Sequence, residues 1–457
     1  MAGGNVENKI AVIGGGLAGC ECALRLAHAG IHVVLFEQKP QCRSEAHVSD
    51  DLAELVCSNS LRSAELTSGV GLLKQEMREL GSVFMEAADT CRVPADKALA
   101  VDRHAFSQYL TRKVLAEQGI ELVCRRIDSL DDPLLAQGNF DYVAICAGPL
   151  ASENLSRSLV SLLGDEQCYF YDAIAPIVWT ESLDLSIVFR ASRYACEEAS
   201  FDPAQAQGDY LNCPMNKEEY QRFYQALCTA ETVPARDFEQ LRHFEGCMPI
   251  EALAQRGERT LVFGPLKPVG LVDPRTGRRP YAVLQLRAEN ADFETCNLVG
   301  CQTRMRQAEQ QRVFRLIPGM AEAEFARLGS MHRNTYVNAP SVLNADLSLR
   351  RRPNIFLAGQ ITGVEGYVES AACGLWLACV LIARCLGHNL AQPPRETALG
   401  ALLGHLQTPC KKFQPSNVHF GLMPTPEEKM RKKDRKQAYA LRAREAFARW
   451  LHENFPH

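Results

Sequence analysis

Gly14, Gly16 and Gly19 stand at G-x-G-x-x-G spacing within KIAVIGGGLAG, Lys9 to Gly19, and an acid, Glu37, closes the next apolar run. Residues of these types in this order suit the binding of a phosphorylated ligand. A glycine at 14 permits a tight turn, one at 16 lets a pyrophosphate come close to the backbone, and one at 19 lets a helix pack closely on a strand. The free N–H groups of the helix's first turn, with its dipole, then hold the anion among Gly14, Gly15, Gly16, Leu17, Ala18 and Gly19. Glu37 falls where an acid accepts hydrogen bonds from a ribose 2′-OH, which favours an unphosphorylated adenosine ribose.

The elements that must position these groups follow from the hydrophobic pattern. Lys9 to Ile13 is short, apolar and β-branched, as a buried parallel strand is. An Ala/Leu-rich helix opens at the glycines and runs to about Ala29, and Ile31 to Phe36 reads as a second strand that ends at Glu37. Phe140 to Gly148, FDYVAICAG, is a further buried strand ending in Ala-Gly. Asn354 to Leu375, NIFLAGQITGVEGYVESAACGL, gives a strand, a Gly-rich turn and a helix, and adds Gly359, Gln360 and Gly366 to the cofactor-binding set. The glycine loop and Glu37 are compatible with FAD or NAD; the two later segments favour FAD.

The predicted fold is α/β: a Rossmann-like, glutathione-reductase-like FAD-binding domain with an inserted α+β domain. Its first strand pair and its C-terminal segment must share one sheet although about three hundred residues separate them. The chain therefore leaves the nucleotide domain and returns. The expected division is an FAD-binding domain at 1–150 and 331–457, and an insertion at 151–330 with strand-like stretches at Gln167 to Trp179 and Thr260 to Gly264.

At 457 residues the chain exceeds what one compact core holds. A net charge of −4 excludes a uniformly basic nucleic-acid binder and leaves local basic patches open. One such patch is the tail, Glu427 to Trp450, which looks helical and carries nine Lys/Arg against four Asp/Glu. It suits either a solvated helix or contact with phosphates. The eighteen cysteines are scattered, no C-x-x-C pair occurs and no signal peptide is read, so reduced thiols in a cytoplasm are expected rather than disulfides or a zinc site. Cys20 and Cys22 read as packing residues. No apolar run is read as reaching the roughly 18 residues that span a bilayer, and a soluble protein is expected, with no membrane and no obligate protein partner.

Nine segments carry a more particular resemblance: IGGGLAG; Ala53 to Ser63, AELVCSNSLRS; Ala98 to Arg103, ALAVDR; Tyr169 to Ile177, YFYDAIAPI; Tyr210 to Met215, YLNCPM; Phe244 to Glu251, FEGCMPIE; Phe263 to Leu271, FGPLKPVGL; Met331 to Thr335, MHRNT; and Ala358 to Glu369, AGQITGVEGYVE. In order and in wording the chain resembles the folate- and FAD-dependent tRNA uracil-5-methyltransferases, from about residue 9 to residue 425, with the basic tail outside. The resemblance implies that a methylene group from 5,10-methylenetetrahydrofolate is joined to uridine in the tRNA T-loop at position 54 and reduced with flavin electrons drawn from NAD(P)H. A related branch acts on ribosomal RNA, so the RNA is left open between the two.

Uracil C5 is a poor nucleophile, and a thiolate added at C6 activates it. Cys247 in FEGCMPIE matches the family's nucleophile, although a cysteine taken alone is more often a packing residue. Cys57 in LVCSNSLRS matches its second functional thiol, implied to assist the methylene or proton steps near the flavin. Arg62, with Ser58, Asn59 and Ser60, suits charge stabilisation around the flavin, the holding of a phosphate, or a capped turn. His332 in MHRNT is a candidate to cover the pterin, and Arg333 and Lys267 are candidates for the folate glutamate or for RNA. Gln360 agrees with the family. Cys301 in VGCQT stands where Phe is expected and implies repacking only. Three rivals remain: the FAD enzyme of the tRNA wobble uridine, which works with a GTPase and should lack FEGCMPIE; a small-molecule flavin oxidoreductase, which often has a second G-x-G-x-x-G; and a non-catalytic binder, which would not need Cys247.

Overall fold

Strands buried on both faces must be apolar nearly throughout, and the runs picked out above form such a sheet. A computed structural model describes residues 8–44, 46–163, 167–193, 208–233, 248–410, 413–426, 431 and 434–455, with the backbone alone for 167–173 and 331–333. Lys9–Ile13 (β1) lies inside a six-stranded sheet, in the order Ser348–Leu349, Arg352–Leu357, Tyr142–Ile145, β1, His32–Glu37 (β2), Ile120–Cys124. β1 runs parallel to both neighbours, with Lys9 opposite His32 and Ile10 opposite Tyr142. Only Ser348–Leu349, at one edge, is antiparallel. This is the expected α/β dinucleotide-binding arrangement, and the expected strands occupy its centre.

The helix after the glycines, Leu17–His28 (α1), starts from Gly16 with no side chain capping it, so its first amides stay available to an outside anion. It packs on the helix Tyr367–Leu386. Contact is close because Gly374 has no side chain: a Cβ there would lie 2.2 Å from the carbonyl oxygen of Ala18. By length and composition Tyr367–Leu386 would suffice to cross a bilayer, contrary to the sequence expectation, but 78% of its apolar window is buried inside the protein. Its apolarity is that of a core helix packed from all sides.

α1 also carries a buried acid. Glu21 accepts the Phe84 N–H at 2.6 Å through Oε2, while Oε1 has no partner among the described residues. Burial pushes its carboxyl up to about 7. The folded state therefore holds a proton that the unfolded state gives up near 4.5, so stability falls as pH rises from about 4.5 to about 7. Thermal melts across that window should show this decline, and Glu21→Gln should flatten it.

A second sheet is antiparallel throughout, in the order Phe189–Arg190, Tyr210–Met215, Ala282–Ala288, Thr295–Leu298, Ile177–Trp179, Phe325–Arg327. Helices Lys217–Thr229, Ile250–Gln255 and Gln307–Phe314 contribute Phe223, Ile250 and Phe314 to its hydrophobic cluster. The first sheet has its own cluster, which takes Leu155, Leu159 and Leu163 from helix Glu153–Leu163. Between the sheets, Gln167–Ala173 pairs antiparallel with Met331–Val337, where the chain leaves and where it returns.

Two expectations change. Thr260–Phe263 is a short helix, not a strand: Gly257 and Gly264 leave only one turn between them, and Leu261 is drawn fully into the core. Packing outweighs the β-propensity of the segment. The tail helix spans Arg435–Asn454 and is docked rather than free. Tyr439, Phe447 and Trp450 are buried in the first cluster, and the Trp450 indole donates to the Ala391 carbonyl at 2.9 Å. Deleting the chain from Thr425 onward would unseat these side chains along with the charge.

Candidate functional site

The three glycines meet three different surroundings. Gly14 has φ +103°, and a Cβ there would lie 2.6 Å from the Cys146 carbonyl oxygen, so the turn excludes a side chain. At Gly19 a Cβ would lie 1.8 Å from the carbonyl oxygen of Gly14. At Gly16 it would meet no atom of the described residues within 4 Å. The space beside Gly16 is open to a ligand, as the close-approach glycine requires.

One cleft brings the cofactor candidates together. It is lined by Gly14, Gly15, Gly16, Leu17, Ala18, Glu37, Gly359 and Gln360. Gly19 and Gly366 are not part of the lining. Glu37 is held in place: one oxygen accepts the Gly15 N–H at 2.7 Å and the other the Lys39 N–H at 2.9 Å. Gln360 donates to Glu365 at 2.6 Å. Gly366 has φ +110° and starts the helix Tyr367–Leu386, where a Cβ would lie 2.4 Å from a Glu369 oxygen.

Cys57 lies beside the cleft, half-buried, where the two sheets meet. The Tyr367 hydroxyl accepts the Cys57 N–H at 2.7 Å and donates to the Cys57 sulfur at 3.0 Å. Arginines hold the residues on either side. Arg327 donates to the Val56 carbonyl at 2.9 Å, and Arg287 donates to the Ser58 hydroxyl and to the Asn59 side-chain oxygen, each at 2.7 Å. Arg103, paired with Glu289 at 2.8 Å, also acts on the sulfur electrostatically. Three guanidinium groups around one partly exposed sulfur make the electropositive setting in which a thiolate is stabilised. Burial first, and then the nearby sulfur, push the Tyr367 phenol well above its ordinary range, so it remains a donor. Tyr367→Phe should remove both the support for the Cys57 amide and the proton donated to sulfur. We expect turnover to fall about tenfold, the scale of one hydrogen bond to a charged group, with iodoacetamide labelling of Cys57 changed in rate while FAD content is kept.

The other candidates fall in different places. Arg62 has φ +62° and pairs with Glu369, a fully buried carboxylate that also accepts the Val418 N–H at 2.9 Å. Lys74 lies buried close to this pair and donates to the Ser63 carbonyl at 2.7 Å; burial, with the Arg62 charge, pulls its ammonium down to about 7. Arg62 thus ties CSNSLRS to the core helix. Asn59 is fully buried, and its amide donates to the carbonyls of Val101 and Ala288 at 3.0 and 2.8 Å. Lys267 is half-buried in the loop after Gly264 and does not line the cleft. His332 and Arg333 stand opposite Asp172 and Tyr171 in the connecting ribbon, and their side chains lie outside the described residues.

Cys247 also lies outside the described residues. Its downstream segment is firmly anchored. Ile250 donates its N–H to the Gln302 carbonyl at 2.7 Å, and Glu251 accepts from Arg304 N–H and the Thr303 hydroxyl, each at 2.9 Å. Cys301, in the same turn, is fully buried in the second cluster, as the repacking reading expects. Cys20 and Cys22 are likewise fully buried.

Sequence reasoning missed several residues of the site. Arg125 and Arg126 line the cleft just beyond the strand Ile120–Cys124, at the carboxyl end of a parallel strand where ligands bind in such sheets. Their position after a strand was the available signal. Tyr367 follows Gly366 directly and could have been drawn from AGQITGVEGY. Arg287 and Arg327 carried no local signal.

Comparison with known proteins places this geometry. A family profile described as "Glucose inhibited division protein A" matches residues 9–389. The "Methylenetetrahydrofolate--tRNA-(uracil-5-)-methyltransferase TrmFO" of Nitratidesulfovibrio vulgaris strain Hildenborough is 65% identical over 443 residues, which cover 97% of this chain and 91% of that protein. The chain belongs to the TrmFO family. The TrmFO of Lawsonia intracellularis is 57% identical over 453 residues, 99% of each chain, so the family likeness takes in the basic tail as well as the stretch to residue 425. Among solved structures, Aquifex aeolicus GidA superposes with a TM-score of 0.67 at 16% identity, over 98% of this chain and 74% of that one, a likeness of fold. TrmFO membership thus joins a GidA-like architecture to the cleft described above.

Proposed function

We propose that the chain is an FAD- and folate-dependent tRNA uracil-5-methyltransferase. It joins the methylene of 5,10-methylenetetrahydrofolate to C5 of uridine 54 in the T-loop and reduces it to methyl with electrons from NAD(P)H. The observation that carries this reading is the pairing of a glycine cleft built for a dinucleotide with full-length identity to TrmFO proteins. A bacterial cytoplasmic location and a soluble state accord with it. So does a division into a discontinuous FAD-binding domain, 1–150 and 331–457, and an insertion, 151–330, since each of the two sheets has its own hydrophobic cluster.

The residues present fit FAD. The open space at Gly16, the uncapped start of α1 and the fixed carboxylate of Glu37 suit a pyrophosphate and its adenosine ribose, and Gly359 and Gln360 bound the same cleft. When bound, FAD supplies hydride chemistry that no side chain can. The rest falls to the chain. The Cys247 sulfur adds to C6 of uracil, so that C5 attacks the methylene carbon; loss of the C5 proton then expels the folate nitrogen from that carbon and leaves an exocyclic methylene, which takes up hydride to become methyl before the sulfur leaves C6 and the C5–C6 double bond returns. Cys57, held by Tyr367 and faced by Arg103, Arg287 and Arg327, assists the methylene or proton steps.

Incubating the purified protein with labelled methylenetetrahydrofolate, NADPH and an unmodified tRNA transcript should place the label on C5 of one uridine. Transfer from S-adenosylmethionine instead would discard the proposal.

A further inference from the structure

Phe263 is the most exposed large apolar side chain among the described residues, at 71%. It closes the one-turn helix Thr260–Phe263, which packs on Ile250–Gln255, the helix that directly follows FEGCMP. An exposed aromatic face with a guanidinium beside it offers a stacking platform to a flat ring. Its neighbours indicate the partner. The Arg259 guanidinium stands 4.9 Å from the centre of the ring, and Arg256, Arg278 and Arg279 are exposed on the same segment. None of these four has a carboxylate partner among the described residues, whereas Arg275 is held by Asp273 at 2.8 Å. From 256 to 279 the segment carries six Lys/Arg against two Asp/Glu, in a chain of net charge −4.

We infer that this segment is an RNA-docking surface, in which an unpaired base stacks on Phe263 beside Arg259 and the other unpaired arginines of the segment neutralise phosphates along the RNA; the inference rests on the RNA substrate proposed above. An apolar protein partner would have to bury several uncompensated guanidinium groups, which is costly. A polyanion gains from each of them. Base–aromatic stacking is tolerant of sequence and depends on a flat π-face, so the patch positions RNA and leaves the choice of uridine to the catalytic pocket.

Binding of an unmodified tRNA transcript tests this, with methylation followed in parallel. Phe263→Ala should raise Kd about tenfold, and KM with it, while FAD content and NADPH oxidation in the absence of RNA stay unchanged. Phe263→Trp should bind like the parent, and Phe263→Leu should behave like the alanine variant. Exchanging Arg256, Arg259 and Arg278 together for glutamine should lower the slope of log K against log salt by about two. An unaltered Kd in Phe263→Ala, or full binding by Phe263→Leu, overturns the stacking surface alone, provided that the parent methylates RNA. A parent protein that neither binds nor methylates RNA removes the proposed function along with it.

Discussion

Cys247→Ala is expected to lower methyl transfer by about a thousandfold or more, the scale on which a covalent nucleophile acts, with FAD content and melting temperature little changed. The sulfur has to make uracil C5 nucleophilic by adding at C6. The anchoring of the segment does not depend on it. Ile250 and Glu251 fasten the chain to Gln302, Thr303 and Arg304 through bonds that the substitution leaves intact. Cys301→Ala is the matched control. Its thiol is fully buried and burial pushes its pKa up, so it has no access to RNA; loss of a buried sulfur should cost about 1 kcal/mol of stability and leave turnover per folded molecule unchanged. Wild-type rates in Cys247→Ala would remove the nucleophile assignment.

The second large effect separates two glycines of one loop. Gly16→Ala should fold, because its Cβ meets no atom of the described residues within 4 Å, but should purify with FAD occupancy reduced about tenfold or more, since the methyl group takes the place of the closely approaching ligand. Gly19→Ala should lose both FAD and fold stability. Its Cβ would stand 1.8 Å from the Gly14 carbonyl oxygen, a backbone atom that cannot rotate away. Alanine in a helix is ordinarily favoured over glycine by about 1 kcal/mol, so a drop in melting temperature at 19 would show that the clash outweighs propensity. Flavin absorbance of the purified variants and their thermal melts give both readings. Equal FAD content in Gly16→Ala and the parent would contradict the close-approach role.

The cofactor cleft was legible in the sequence because its parts are local. Strand, glycines, helix, strand and acid follow one another between Lys9 and Glu37, and each takes the position its pattern predicts. The helix Tyr367–Leu386 was equally visible, although its twenty residues were not recognised as an apolar span. The surroundings of Cys57 were not legible. They are assembled from Arg103, Arg287, Arg327 and Tyr367, four residues brought together only by the packing of two sheets. Arg287 lies in AVLQLRA, a strand buried at every position, where the pattern announces a core and conceals a cation. Thr260–Phe263 misled for a related reason: four apolar or β-branched residues suit a strand, and only the seating of Leu261 decides for a helix turn. Cys247 and Cys57 were reached through the wording of their motifs, since nothing in spacing alone singles them out among eighteen cysteines.

FAD held at the glycine cleft would supply the hydride that completes the new methyl group, so that hydrogen would not come from folate carbon. The measurement that tests it most directly is mass spectrometry of the 5-methyluridine formed in D2O from unlabelled methylenetetrahydrofolate, NADPH and tRNA transcript. Hydrogen bound to nitrogen exchanges with solvent, whereas hydrogen bound to folate carbon does not. One deuterium in the new methyl group is expected. A methyl group free of deuterium would contradict it.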